Sequence, residues 1–167
     1  MSSRVFMISD LHLGHKRILD FAGDFRGGTT LEEHDEWIIE QWNSVVRKRD
    51  LVIVLGDVAF TREGLSKIGR LKGTKHLIMA NHDRFAVEDY NEYFRIKPGI
   101  YKYKGFWLSH CPIHPEELRG CKNIHGHVHQ HHIPSPMTRI DPRYINVCVE
   151  ACNGVPFLFS DLKEQYG

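Results

Sequence analysis

Val5-Phe6-Met7-Ile8-Ser9-Asp10-Leu11-His12 sets four apolar residues, read as a buried strand, directly before an aspartate and a histidine. The arrangement recurs down the chain. Leu51-Val52-Ile53-Val54-Leu55 runs into Gly56-Asp57, and His76-Leu77-Ile78-Met79, after a Gly73-Thr74 turn, runs toward Asn81-His82-Asp83. Between the first two strands an amphipathic helix is expected over Leu31 to Lys48. Leu31, Ile38, Trp42, Val45 and Val46 share one face, and Thr30 with Glu33 forms a capping box. A second helix, Arg62 to Leu71, groups Leu65, Ile68 and Leu71 and stops at Gly73. Beyond residue 95 strand follows strand: Ile100–Tyr103, Phe106–Ser109, Asn123–His125, Tyr144–Val149 and Pro156–Phe159. The order β-α-β-α-β, then mostly β, predicts an α/β fold. A parallel-cored sheet would pack on a more antiparallel one, with helices outside. His132 to Pro142, with three prolines, is the expected mobile loop.

The chain has 167 residues, 41% apolar and 26% charged, which favours a single globular domain over residues 1–167. A net charge of +1 gives no field for a long nucleic acid, and no stable long nucleic-acid binding is expected. The one dense basic run, Arg47-Lys48-Arg49, reads as a solvated helix end. No apolar run approaches the ~18 residues of a membrane span, and the N-terminus does not read as a signal peptide. Cys111, Cys121, Cys148 and Cys152 form no CxxC pair, so reduced thiols and a cytoplasmic location are expected. The 12 histidines are the anomaly.

Polar residues gather where strands stop: Asp10-Leu-His12, Gly56-Asp57, Asn81-His82-Asp83, Ser109-His110 and Gly126-His127-Val128-His129. Carboxyl ends of parallel strands are where α/β folds place their sites. In extended backbone, residues i and i+2 share a side, so Asp10 with His12, and His127 with His129, are expected to face common ground. Imidazole and carboxylate donors suit Mn, Fe or Zn. Asp57, with two oxygens, is able to bridge two ions, and Gly56 permits close backbone approach.

These five motifs, in this order, resemble those of calcineurin-like metallophosphoesterases. The likeness extends to Trp42-Asn43, Leu55-Gly-Asp-Val-Ala-Phe60 and Ile145-Asn-Val147, and is to the small phage and bacterial group of that family. The resemblance implies a four-layer α-β-β-α sandwich. It implies two divalent metal ions, one on Asp10, His12, Asp57 and His129, the other on Asp57, Asn81, His110 and His127. It further implies His82 as a catalytic acid oriented by Asp83. The reaction would be hydrolysis of a small phosphoester or nucleotide, monoester or diester, by a hydroxide held between ions roughly 3.5–4 Å apart. The alternative is a binding module that keeps the fold without chemistry. Where the family's third motif begins with Gly, this chain has Ala80, a strained choice if positive φ is needed there. His15, Arg17 and Arg84, just beyond motif residues, are candidates to reach a substrate phosphate. Phe21–Thr30 and His131–Pro142 are the loops expected to discriminate substrates. His34, His76 and His114 read as surface or packing residues, His125, His131 and His132 as flanking ones. Cys111, beside His110, reads as a buried apolar residue, with a metal-reactive role as the alternative.

Overall fold

The computed structural model describes residues 3–135 and 137–167; Met1, Ser2 and Pro136, the last within the proline-rich loop, lie outside them. The β-branched runs form the expected strands β1 (Val5–Ile8), β2 (Leu51–Val54) and β3 (Thr74–Ile78). They pair in parallel, with Phe6 beside Val52 and Val52 beside Lys75. Two short strands extend this sheet. β4 (Arg95–Lys97) lies parallel to β3, and β9 (Phe157–Leu158) runs antiparallel to β1, giving the order β4-β3-β2-β1-β9.

The second sheet holds β5 (Ile100–Tyr103), β6 (Phe106–Ser109), β7 (Lys122–His125) and β8 (Tyr144–Asn146) in sequence order. It is less antiparallel than the sequence suggests. Only β5 and β6 form a hairpin, while β6-β7 and β7-β8 are parallel. The crossovers are made by loops and a 3-10 turn, Pro115–Leu118, with no long helix to announce them.

Alternation along the first sheet splits its side chains between two cores. Phe6, Ile8, Val52, Val54 and Leu77 pack outward beneath α2 (Leu31–Val45), α3 (Arg62–Ser66) and α4 (Val87–Asn91). Met7, Ile53 and Ile78 pack inward against Phe106, Leu108, Ile124 and Ile145 of the second sheet, with Phe159 and Leu162 of α6 (Phe159–Tyr166) closing that core; α1 (Ile18–Ala22) and α5 (Val149–Cys152) are short helices. The outer layer over the second sheet is thin. Ile113–Leu118 crosses it, its Ile113 N–H donating to Asn123 Oδ1 at 3.0 Å and its Leu118 carbonyl accepting from Trp107 Nε1 at 3.2 Å.

Local chemistry sets the helix ends. The Thr30–Glu33 capping box is formed. α2 ends at Val45, short of Lys48, because Val46 is extended and the Asp50 carboxylate takes the Arg47 N–H at 2.8 Å. The second expected helix continues from α3 as a 3-10 turn, Lys67–Arg70, that still buries Ile68. No helix among the described residues is long and apolar enough to cross a membrane.

Candidate metal centre

The strand ends are stitched into one edge by backbone bonds. Asp10 and His12 donate to the carbonyls of Gly56 and Asp57, each at 3.0 Å, so the segment after β1 runs alongside the segment after β2. Ser9 N–H donates to Val147 O, Val147 N–H to His125 O and Gly126 N–H to His110 O, each at 2.9 Å, tying β8, β7 and β6 to the same edge.

The convergence does not come from extended backbone. Asp10, His12, Asp57, His127 and His129 all adopt left-handed conformations, with φ of 61°, 55°, 54°, 73° and 52°. Asp and His tolerate this region better than bulky or branched residues, yet each such residue costs of order 1–3 kcal/mol. Five of them at one edge mark a site whose geometry overrides local preference. Gly56, also at positive φ, sits against Ala80 and His110, while Ala80 itself is not at positive φ, so the strain foreseen there does not arise.

The side chains form three clusters whose candidate ligand atoms all lie within 4.8 Å of one another: Asp10, His12 and His129; Asp10, Asp57 and His110; His110, Cys111 and His127. His12 Nε2 lies 3.5 Å from Asp10 Oδ1 and 3.7 Å from Asp57 Oδ2, and His110 Nε2 lies 3.4 Å from the same Asp57 oxygen. His129 Nε2 is 3.9 Å from Asp10 Oδ1, and His127 Nδ1 is 3.1 Å from His110 Nε2. His127 and His129 therefore part company, one toward His110 and the other toward Asp10 and His12. Asn81 lies on the exposed turn after β3 and lines a cavity with His110. Cys111 is exposed, not buried as the sequence suggests.

The outward nitrogens are fixed. His110 Nδ1 pairs with the Leu55 carbonyl at 2.7 Å, and His129 Nδ1 with Glu150 Oε1 at 2.9 Å, leaving Nε2 of each for the cluster. One oxygen of Asp10 is anchored: Oδ2 accepts from His127 N–H at 2.9 Å and from the Cys148 thiol at 3.2 Å. The other has nothing. Among the described residues, Asp10 Oδ1 and His12 Nε2 are buried polar atoms without a hydrogen-bond partner, alongside Glu150 Oε2. Two buried donor atoms left facing each other are what a cation would satisfy, and this donor set fits a divalent ion. Burial alone would raise the Asp10 carboxyl, but the nearby His12 imidazole and the His110 charge hold it well below the usual carboxylate range.

Sequence reasoning missed Glu150 and Arg26. Their side chains are fully buried and paired at 2.8 Å, and Arg26 also donates to the carbonyls of Asp10 at 2.7 Å and Leu11 at 3.1 Å. Despite burial, the hydrogen bond from His129 and the charge of Arg26 bring the Glu150 carboxyl down to about 2, and Glu150 in turn raises the His129 pKa. The visible signal was a carboxylate a few residues beyond β8, at the same edge.

Asp83 needs correcting. Instead of turning to His82, its carboxylate accepts from the backbone N–H groups of Asp57 at 3.0 Å, Val58 at 2.9 Å and Ala80 at 2.9 Å. It braces two strand-end loops against each other, and burial lifts its pKa to about 6. His82 is placed by its own N–H, which donates to Asp57 Oδ1 at 3.1 Å; its ring lies 5.0 Å from that of Phe60. His15 Nδ1 meets His12 Nδ1 at 3.0 Å and its ring stacks on Phe60 at 4.0 Å; burial, then the charge of His12, lowers its pKa to about 4. Arg17 is exposed, pairing with Asp20 at 3.2 Å, and the exposed Arg84 meets the Asn81 carbonyl at 3.4 Å.

An uncharacterised protein of Methanocaldococcus jannaschii, MJ1445, is 32% identical over 161 residues, spanning 92% of this chain and 85% of its own. The chain belongs to its family. The Gene 66 protein of Mycobacterium phage D29 is also 32% identical, over 187 residues, with 89% of each chain covered. The same architecture appears in a protein of unknown function from Aquifex aeolicus, AQ665, at a TM-score of 0.74 and 26% identity, over 98% of this chain and 100% of that one. The nuclease MPE of Pseudomonas putida matches at a TM-score of 0.54 and 21% identity, over 75% of this chain and 62% of that one, and so shares the fold. No protein-family model matches the sequence. The chain thus has the expected α/β fold of two mixed sheets, shared with these solved structures.

Proposed function

We propose that the protein is a metal-dependent phosphoester hydrolase of the calcineurin-like metallophosphoesterase kind, holding two divalent ions, Mn, Fe or Zn. The observation that carries this reading is Asp57 Oδ2, set 3.7 Å from His12 Nε2 on one side and 3.4 Å from His110 Nε2 on the other. A single carboxylate between two histidine clusters is the arrangement of a bridging ligand. Asp10, His12 and His129 would hold one ion with Asp57; Asn81, His110 and His127 would hold the other. When bound, such a pair supplies Lewis-acid activation of water and neutralises charge on the phosphoryl oxygens. The shared fold with a nuclease supports chemistry at a phosphoester.

The chain's own residues do the rest. Leu55 O and Glu150 hold the His110 and His129 rings with Nε2 inward, and the three amides on Asp83 fix the turns that carry Asp57 and His82. His82 lines a cavity with His12 and His129, which supports a role for it in giving a proton to the departing ester oxygen. Metal-free protein supplied with Mn should hydrolyse bis-p-nitrophenyl phosphate, and Asp57→Asn should lower the rate by roughly 10³-fold, several kcal/mol of barrier. No turnover by protein shown to have bound metal would favour the alternative, a binding module.

A further inference from the structure

Two cavities open at the candidate centre. The first, about 440 Å³, is lined by His12, His129 and His82 together with Phe60 and Phe21. The second, about 690 Å³, has Asn81 and His110 at one end and Ile100, Trp107 and Ile113 along its walls. Each therefore reaches one of the two histidines that flank Asp57 Oδ2. The volume of the second falls in the range of small-molecule sites.

The second cavity is built for a neutral, flat group. Among the described residues its lining contains no lysine or arginine, and the carboxylate at its rim, Glu117, is paired with Arg119 at 3.3 Å. Trp107 is locked in place by its N–H on the Leu118 carbonyl at 3.2 Å, with Lys102 Nζ 5.0 Å from the ring centroid. The Ser109 hydroxyl is spent on the Cys111 carbonyl at 2.6 Å. No lysine or arginine lines the cavity for a second phosphate, and the Lys102 ammonium beside it lies over the Trp107 ring; an aromatic ring finds apolar walls at Ile100, Trp107 and Ile113.

On the hydrolase reading above, on which this inference rests, the leaving oxygen goes to His82 and hence to the first cavity. A monoester has one organic substituent and leaves the second cavity without a role. We propose that the substrate is a phosphodiester whose retained substituent carries an uncharged ring of nucleobase size, seated against Trp107 and Ile113. The oxygen of water bonds to phosphorus as one of its protons passes to solvent, the bond to the leaving oxygen breaks, and that oxygen takes a proton from His82, which regains one from solvent. The other ester bond stays intact, so the product is a phosphomonoester still bearing the ring.

Three esters with the same p-nitrophenolate leaving group isolate the retained side: p-nitrophenyl phosphate, methyl p-nitrophenyl phosphate and p-nitrophenyl thymidine 5′-phosphate. With Mn-loaded enzyme, KM for the thymidine ester should lie roughly 10-fold or more below that of the methyl ester, the gain from burying a ring. Ile100→Ser, at the exposed lip on β5, and Trp107→Ala should each bring the KM values of the two esters close to one another. Equal KM values in the unmodified enzyme, or a ratio that neither variant moves, would overturn the proposal. A second readout works on metal-free protein. Thymidine 5′-monophosphate should shift the Trp107 indole N–H resonance, and inorganic phosphate should not. If none of the esters is hydrolysed although metal binds, the hydrolase reading and the diester fall. The ring site then stands if the nucleotide shifts the indole, and falls if it does not.

Discussion

Glu150 is the residue whose replacement separates a merely folded edge from a working metal centre. Its Oε1 accepts from His129 Nδ1 at 2.9 Å and from Arg26 Nε at 2.8 Å, with both members of the Arg26 pair fully buried. Glu150→Ala leaves the Arg26 guanidinium buried without its counter-charge, a loss of about 3–5 kcal/mol, which for a chain of this size lowers the melting temperature by roughly 10 °C. Glu150→Gln keeps an oxygen acceptor and removes the charge, so about 1.5–3 kcal/mol of charge-assisted hydrogen bonding is at stake. It also weakens the hold on the His129 tautomer and lowers the basicity of Nε2. Changes one step behind a metal ligand typically cost 10–100-fold in affinity. Mn titration by calorimetry on Glu150→Gln should therefore show at least ~10-fold weaker binding, with thermal unfolding in chelator reporting the stability loss separately. A variant that folds as stably as the unmodified protein and binds Mn within twofold would refute the carboxylate–histidine coupling.

Three further outcomes follow from the same geometry. His82→Ala should slow hydrolysis of alkyl phosphoesters far more than that of p-nitrophenyl esters, whose leaving group needs little help; equal losses in the two rates would exclude proton donation by His82. Gly126→Ala places a Cβ into Ser9 Oγ and Asp10 Oδ2 and should weaken Mn binding by at least ~10-fold. Gly23→Ala, where a Cβ meets nothing within 4 Å, should leave the same titration unchanged. Burial, outweighing the pull of Asp35, lowers the His34 pKa below its ordinary 6.5. The unfolded chain therefore takes up this proton first, and stability present above pH 6.5 is lost as pH falls below it, by up to ~1.4 kcal/mol per pH unit. Urea unfolding of His34→Gln should show a shallower loss from pH 7 to 5 than the unmodified chain; identical slopes would remove His34 from the balance.

The strand ends were legible because two signals coincide there: an apolar run long enough to be buried, and a sudden Asp, Asn or His. That is why β1 and β6 fall on their expected residues and why Asp10, His12, Asp57, His110, His127 and His129 come together. What the sequence hid is of another kind. The left-handed turns at Asp10, His12, His127 and His129 replace the extended backbone that the i, i+2 spacing suggests, because the tertiary edge sets those dihedrals. β4 has a single apolar residue, Ile96, between two cations, and pairs only because β3 offers an edge. Arg26 and Glu150 lie 124 positions apart, and no local pattern links them. Asp83 is adjacent to His82 in sequence, yet its carboxylate turns to two buried amides of the Asp57 loop and to the Ala80 amide of its own, N–H groups that need an acceptor.

The most direct test counts ions. Protein loaded with Mn, desalted and subjected to elemental analysis should carry two ions per chain, and Asp57→Asn, folded by circular dichroism, should carry one or fewer. Folded, unmodified protein that never exceeds trace occupancy, or an Asp57→Asn variant that retains both ions, would contradict the bridging role of Asp57.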